Sequence, residues 1–296
     1  MANPNLLRTL CVFLLVIAGI TSAAETDRGI FWRADKAGQT VYLLGSVHLA
    51  TPDFYPLRAS IERAYAASDA LVVEADILAA EGDMALQQRI MMESLYPGDR
   101  SLRDDLSPAV FKQLQSWLEQ RQLPESLFIR QRPAIAMITM SMVEMRAQGL
   151  DPGLGIDRHF LKKAKRQGKP IVELEGVLQQ LQLLNELENP GLLLQQTLAQ
   201  LKDIETFVPR ITSAWKAGDI DTLYRLIIAD NLAEYPEFAP LYETLFFRRN
   251  RAMADKIADS APAYKSLFVI VGAGHLIGNE SVIELLKKEG YQLQRL

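Results

Sequence analysis

The chain holds only three histidines, and two of them sit in the same local plan. Val41-Tyr42-Leu43-Leu44-Gly45-Ser46-Val47-His48 and Phe268-Val269-Ile270-Val271-Gly272-Ala273-Gly274-His275 each run through apolar residues into a glycine and place a histidine three positions later. An imidazole in such a place can ligate a metal ion or carry a proton. For one isolated GxxH the ordinary reading is a turn cap or a packed ring, and it is the repetition that points to a shared site. The chemistry also needs a carboxylate. Glu74, directly after the apolar run Ala70-Leu71-Val72-Val73, is the first candidate for a third ligand or a general base, and Asp76 is the second. Two imidazoles and one carboxylate leave a position for water, whose pKa a divalent ion lowers to roughly 7.

The elements that must position these groups follow from the same pattern. Both motif runs lack polar alternation, so they read as strands buried on two faces in a sheet covered by helices. Ligands gather beyond the carboxyl ends of such strands, and glycine lets the backbone turn there. Thr26 to Thr40 suggests a hairpin leading into the first motif. Pro56 suits the first turn of the next helix, which carries Leu57, Ile61, Ala64 and Tyr65 and precedes the strand ending at Val73, making a parallel βαβ unit. Lys169 to Leu174 gives a third strand with Glu175 just beyond it, and Tyr291 to Leu296 a final one.

Between the strands the pattern is helical. Ser107-Pro108 supplies an N-cap and first turn, Pro133 opens a helix ending at Gly149, and residues 77–150 and 176–240 read as two helical insertions. Asp157 reads as the N-cap of a helix carrying His159 and the cations Lys162, Lys163, Lys165 and Arg166, with Gly168 at its end; either Asp157 or His159 could reach the site. Leu241 to Ile257 forms a helix with Arg249 in register to meet an anion or carboxylate, and Asn279 caps the last helix. Seven methionines lie between Met84 and Met145; core packing or an adaptable apolar groove accounts for them better than soft copper ligation by Met137/Met140 or Met142/Met145. The expected fold class is α/β, a mainly parallel central sheet flanked by helices with large helical insertions.

At 296 residues, with 49% hydrophobic residues, the chain can bury a sizeable core. Its formal net charge of −4, with both signs interspersed, gives no sign of nucleic-acid binding. Arg8, the apolar run Cys11 to Ile20 and the small residues Ser22 and Ala24 read as an export signal over residues 1–24, with the mature domain spanning 25–296. The expectation is therefore a periplasmic or secreted protein, touching a membrane only through this leading segment if it stays uncleaved. The sole cysteine, Cys11, leaves with that segment, which excludes a disulfide framework and a thiolate metal site.

Taken together, Tyr42 to His48, Val73-Glu74, Gly155-Ile156-Asp157, Leu174-Glu175 with Gln180, Arg249-Asn250 and Val271 to His275 resemble the TraB/GumN family, related to the TIKI metalloproteases and more distantly to the erythromycin-esterase-like fold. The resemblance spans the whole mature chain. It implies an α/β core in which His48, His275 and Glu74 form a divalent-metal hydrolytic centre, with Asp157, Glu175 and Arg249 as neighbours that orient ligands or meet substrate. Zinc, manganese and cobalt all suit that donor set. The substrate would be a peptide or a small amide or ester. A metal-free variant would use one histidine as general base. A reading from another class is an exported binding protein that holds a peptide or ligand without cutting it. An α/β-hydrolase is excluded, because no GxSxG elbow is present and Ser46 lies in the wrong context.

Overall fold

The computed structural model describes residues 27–296, so the leading segment and its expected cleavage point lie outside the described residues. Six strands, β1 (Ile30–Lys36), β2 (Gln39–Ser46), β3 (Ala70–Val73), β4 (Ile171–Glu173), β5 (Ser266–Gly272) and β6 (Gln292–Arg295), form one sheet in the order β4-β3-β5-β2-β1-β6. β4, β3, β5 and β2 run parallel, whereas β1 pairs antiparallel with both β2 and β6. The fold is α/β as expected, with a mixed sheet that is not purely parallel. The hairpin is the cause: Ala37 and Gly38, both at positive φ, join β1 to β2 in a two-residue turn that only antiparallel strands can use.

The runs that lacked alternation are buried on both faces. Leu71 to Val73 and Leu267 to Val271 are all closed to solvent, and with Leu43, Leu44, Phe31, Tyr65 and Phe160 they make the main core. Helices fill the long connections. Pro108–Gln120, Pro133–Ala147 and Ile156–Gln167 lie between β3 and β4, and Val177–Asn185, Gly191–Leu201 and Ile204–Ala217 between β4 and β5. A second core forms where two of these connections meet, with Phe111, Leu114, Trp117, Phe128 and Met140 from one against Leu194 and Leu198 from the other. Met140 is fully buried there, so it packs and does not ligate. No described helix is long and apolar enough to cross a membrane.

Three local expectations are corrected. Pro56 precedes its helix, which starts at Ala59 after the cap position Arg58. Asp157 lies inside the first turn of Ile156–Gln167, whose cap position is Gly155. Ser281, not Asn279, caps Val282–Lys288, accepting a hydrogen bond from the Glu284 N–H.

Candidate functional site

The register of the sheet brings the two GxxH motifs side by side. β2 and β5 are parallel neighbours with Ser46 opposite Gly272, so both chains leave the sheet at one edge and both histidines follow there. β3 lies on the other side of β5, with Val73 opposite Ile270, and delivers Glu74 to the same edge. Glu175 joins them, because its N–H donates to the Glu74 carbonyl at 2.7 Å and extends the β3–β4 ladder. Gly272 marks the point of convergence. A Cβ built there would stand 3.3 Å from Glu74 Oε1, 3.6 Å from His275 Cδ2 and 3.8 Å from His48 Nε2. The absence of a side chain at this residue is what leaves room between the three groups.

Each group is held by named partners. The Gly272 N–H donates to Glu74 Oε1 at 2.6 Å, while Arg249 Nη2 and Gln180 Nε2 donate to Oε2 at 2.6 and 3.1 Å. Arg249 also bridges to Glu175 through Nε and Nη2, and its Nη1 donates to the Leu245 carbonyl at 3.0 Å. That carbonyl lies in the π-helical turn Glu243–Phe247, where the regular ladder is interrupted just before the helix Arg248–Ser260. Burial alone would push the Glu74 carboxyl up, but His275, Arg249 and His48 outweigh it and hold the group down at about 2. Glu74 is therefore ionised throughout the neutral range.

His275 is almost wholly buried. Its Nδ1 lies 2.6 Å from Asn250 Oδ1, and Asn250 uses its own Nδ2 to donate to the Glu280 carbonyl. Asn250 Oδ1 must therefore accept, which puts the proton of neutral His275 on Nδ1 and leaves Nε2 bare. Burial, with Arg249 nearby, pushes His275 down to about 4, so the ring is neutral at pH 7. Its bare Nε2 then faces Glu74 Oε1 at 3.7 Å, two acceptors with no proton to share.

His48 is the open member of the set, with its side chain 62% exposed at the cleft. Its Nδ1 lies 3.4 Å from Asp157 Oδ1. Enclosure by the cleft walls opposes the charged ring, yet the Asp157 and Glu74 carboxylates raise it above the ordinary histidine value. Solvent around the exposed ring screens that rise. The Gly155-Ile156-Asp157 segment buttresses this histidine: the Ile156 N–H donates to the Val47 carbonyl at 3.0 Å, and a Cβ on Gly155 would come within 2.4 Å of the His48 carbonyl oxygen.

Among the sequence candidates, the structure thus gathers His48, Glu74, His275, Asp157, Glu175 and Arg249 at one edge. Asp76 and His159 are elsewhere. Asp76 caps the helix Ile77–Gly82 and pairs with Lys165, and His159 packs on Tyr55 and lies 3.3 Å from Glu62. Gln180 and Asn250, quoted above only as motif positions, prove to be direct partners of Glu74 and His275. Ser46, which has no elbow context in the sequence, lines the cleft with its hydroxyl buried and without a hydrogen-bond partner.

Two nitrogen donors and one carboxylate oxygen suit a divalent ion, and the facing pair of bare acceptors is what such an ion would relieve. As the side chains stand, no group of three or more His, Cys, Asp or Glu among the described residues is arranged to hold a metal ion. At Glu74, Oε2 is committed to Arg249 and Gln180, whereas Oε1 takes only the Gly272 N–H and keeps a second lone pair on the side of His275.

Known proteins bear on this geometry. YbaP of Escherichia coli K12, an uncharacterized protein, is 27% identical over 247 residues, covering 83% of this chain and 87% of YbaP. The zebrafish metalloprotease TIKI1 is 23% identical over 331 residues, which covers 93% of this chain and 64% of TIKI1. Zebrafish metalloprotease TIKI2 is 23% identical over 310 residues, with 86% of this chain and 58% of TIKI2 covered. No solved structure matches the chain. The profile of the TraB/PrgY/gumN family matches residues 30–295, from the first strand to the last, and the chain belongs to that family.

Proposed function

We propose that this protein is an exported, metal-dependent hydrolase of the peptidase type, acting on a peptide or a related amide or ester. The observation that carries the reading is the meeting of His48, Glu74 and His275 around the bare Cα of Gly272. The metalloprotease names of the TIKI relatives support the same class of chemistry. His48, His275 and Glu74 would hold the ion. When bound, it would lower the pKa of a water at its open position to roughly 7 and polarise the substrate carbonyl.

The chain's own residues do the rest. Asn250 holds the His275 tautomer, so that Nε2 is always available as a donor atom. Asp157 orients His48 from behind. Arg249 and Gln180 fix Glu74 by one oxygen and leave Oε1 toward the histidines, where it can ligate or take a proton from water. Glu175 balances Arg249, keeping the guanidinium from neutralising Glu74 by itself.

Calorimetric titration of the purified protein with Zn²⁺, Mn²⁺ and Co²⁺ tests this, beside His48→Ala and His275→Ala. The expected result is roughly stoichiometric binding in the wild type and its loss in both variants. Failure of any divalent ion to bind, with both variants indistinguishable from wild type, overturns the metal reading. Hydrolysis that survives exhaustive chelation but still needs His48 would point to the metal-free general-base variant instead. Export through the leading segment is part of the proposal and is checked by cell fractionation.

A second reading, ligand retention without turnover, is favoured by the prior engagement of Glu74 with Arg249, Gln180 and the Gly272 N–H. Peptides held intact in the presence of divalent ions would support it.

A further inference from the structure

The cleft has two chambers, and both open on the same residues. One, of about 250 Å³, is walled by Ile90, Ile135, Ile138, Val177, Leu181 and Leu184. The other, of about 450 Å³, is walled by Met137, Ser141, Met145, Gln196, Trp215 and Phe246 among others, and takes in Ser46 and His275. His48, Glu74, Leu245 and Arg249 line both. The helix Pro133–Ala147 divides them, since it turns Ile135 and Ile138 to the first and Met137, Ser141 and Met145 to the second.

The walls carry a second message in their charge. Among the described residues, beyond the shared His48, Glu74 and Arg249, no Asp, Glu, Lys or Arg lines either chamber. A free α-amine needs a carboxylate at the end of its pocket, and a free α-carboxylate needs a cation, because an unpaired charge in an apolar wall is costly. Glu74 and Arg249 cannot serve as such anchors. They are hydrogen-bonded to each other and stand where the chambers meet, not at a far end.

We infer that the cleft takes an internal, uncharged stretch of polypeptide that runs through both chambers, so that the group presented to His48, Glu74 and His275 is a mid-chain amide and not a terminal one. The inference rests on the hydrolase reading only for the cutting of that amide. The first chamber accepts an apolar side chain and no hydrogen bonds from its walls apart from Gln180. The second accepts a larger or more polar one, with Ser141 and Gln200 on its wall. Preferences on the two sides of the central amide are therefore set by different residues.

The test is a mixed-sequence peptide library, half with free ends and half acetylated and amidated, incubated with the full protein and Zn²⁺, Mn²⁺ or Co²⁺. Mass spectrometry reads both the peptides retained and the peptides cut. Blocked and free-ended peptides are expected to be handled equally, within about twofold. Ile138→Glu and Ser141→Glu, at partly exposed helix positions, are each expected to change selection by about tenfold or more on one side only, and on opposite sides. Their melting temperatures verify folding, and the comparison of blocked with free ends needs the wild type alone. A tenfold preference for free ends overturns the inference, as do the two variants acting on the same side, or a library of which nothing is retained or cut. Retention without cleavage supports this inference while overturning the hydrolase, whereas cleavage confined to free ends does the reverse.

Discussion

Asn250 is the residue on which the chemistry of His275 turns, because it decides which ring nitrogen faces the cleft. Its Oδ1 takes the Nδ1 proton only because its Nδ2 is spent on the Glu280 carbonyl. Removing such a partner behind a ligating histidine costs roughly 10–100-fold in metal affinity. Asn250→Ala is expected to show that loss by calorimetric Zn²⁺ titration, while Asn250→Asp, which still accepts from Nδ1, keeps most of the affinity. Equal affinity in all three proteins would mean that the tautomer is not set here. Sequence reasoning reached His48, Glu74 and His275 because each directly follows or closely trails an apolar run. Asn250 and Gln180 carry no such mark: each lies on a helix, and only the folded chain shows which buried group it meets.

At the scale of elements, the edge of the sheet away from the site is aligned by one carboxylate. Asp69, just before β3, accepts hydrogen bonds from the backbone N–H groups of Lys265 and Ser266 at 2.9 Å each, which sets the start of β5 against β3. These backbone donors, set against some desolvation, keep its pKa below the ordinary aspartate value. A carboxyl with a lowered folded pKa contributes stability above its unfolded pKa of roughly 4, and that contribution is lost as pH falls through the folded value. Asp69→Asn is thus expected to melt lower than wild type at pH 7, by a loss of about 1 kcal/mol given its exposure. The difference should shrink below pH 4. A constant difference across that range would rule out an ionic origin.

Strand identity was legible at this scale because buried runs such as Val269 to Val271 have no polar alternation to confuse them. Pairing direction was legible for β1, whose hairpin turn implies an antiparallel neighbour, but not for β6, a short and mostly exposed edge strand with no mark of its direction. Cap positions were misjudged where two polar residues competed, as with Asn279 and Ser281, and the geometry of one turn decided between them.

At the scale of the whole molecule, the described residues form two large cores, one on the sheet and one among the inserted helices, with two smaller clusters beside them. The second holds a buried charge: Glu144, 1% exposed, is met by Arg121 through both oxygens and by Trp117 Nε1 at 2.6 Å. Arg121→Met leaves that carboxylate with the indole alone and, because Arg121 is itself 42% exposed and screened by solvent, is expected to cost about 2 kcal/mol. Hydrogen exchange should report the loss first in Pro108–Gln120 and Pro133–Ala147, with Zn²⁺ affinity at the distant edge little changed. Uniform loss of protection across the sheet would mean that the two cores unfold as one unit.

β5 sits between β3 and β2 although it comes last of the parallel strands in the chain, some 220 residues after β2. Until Ser266 to Gly272 slots into that gap, His48 and Glu74 belong to strands with no common neighbour, and neither Gly272 nor His275 is in place. A chain cut short before β5 thus cannot bring His48, Glu74 and His275 together. The three groups meet only where β5 is paired with β2 on one side and β3 on the other.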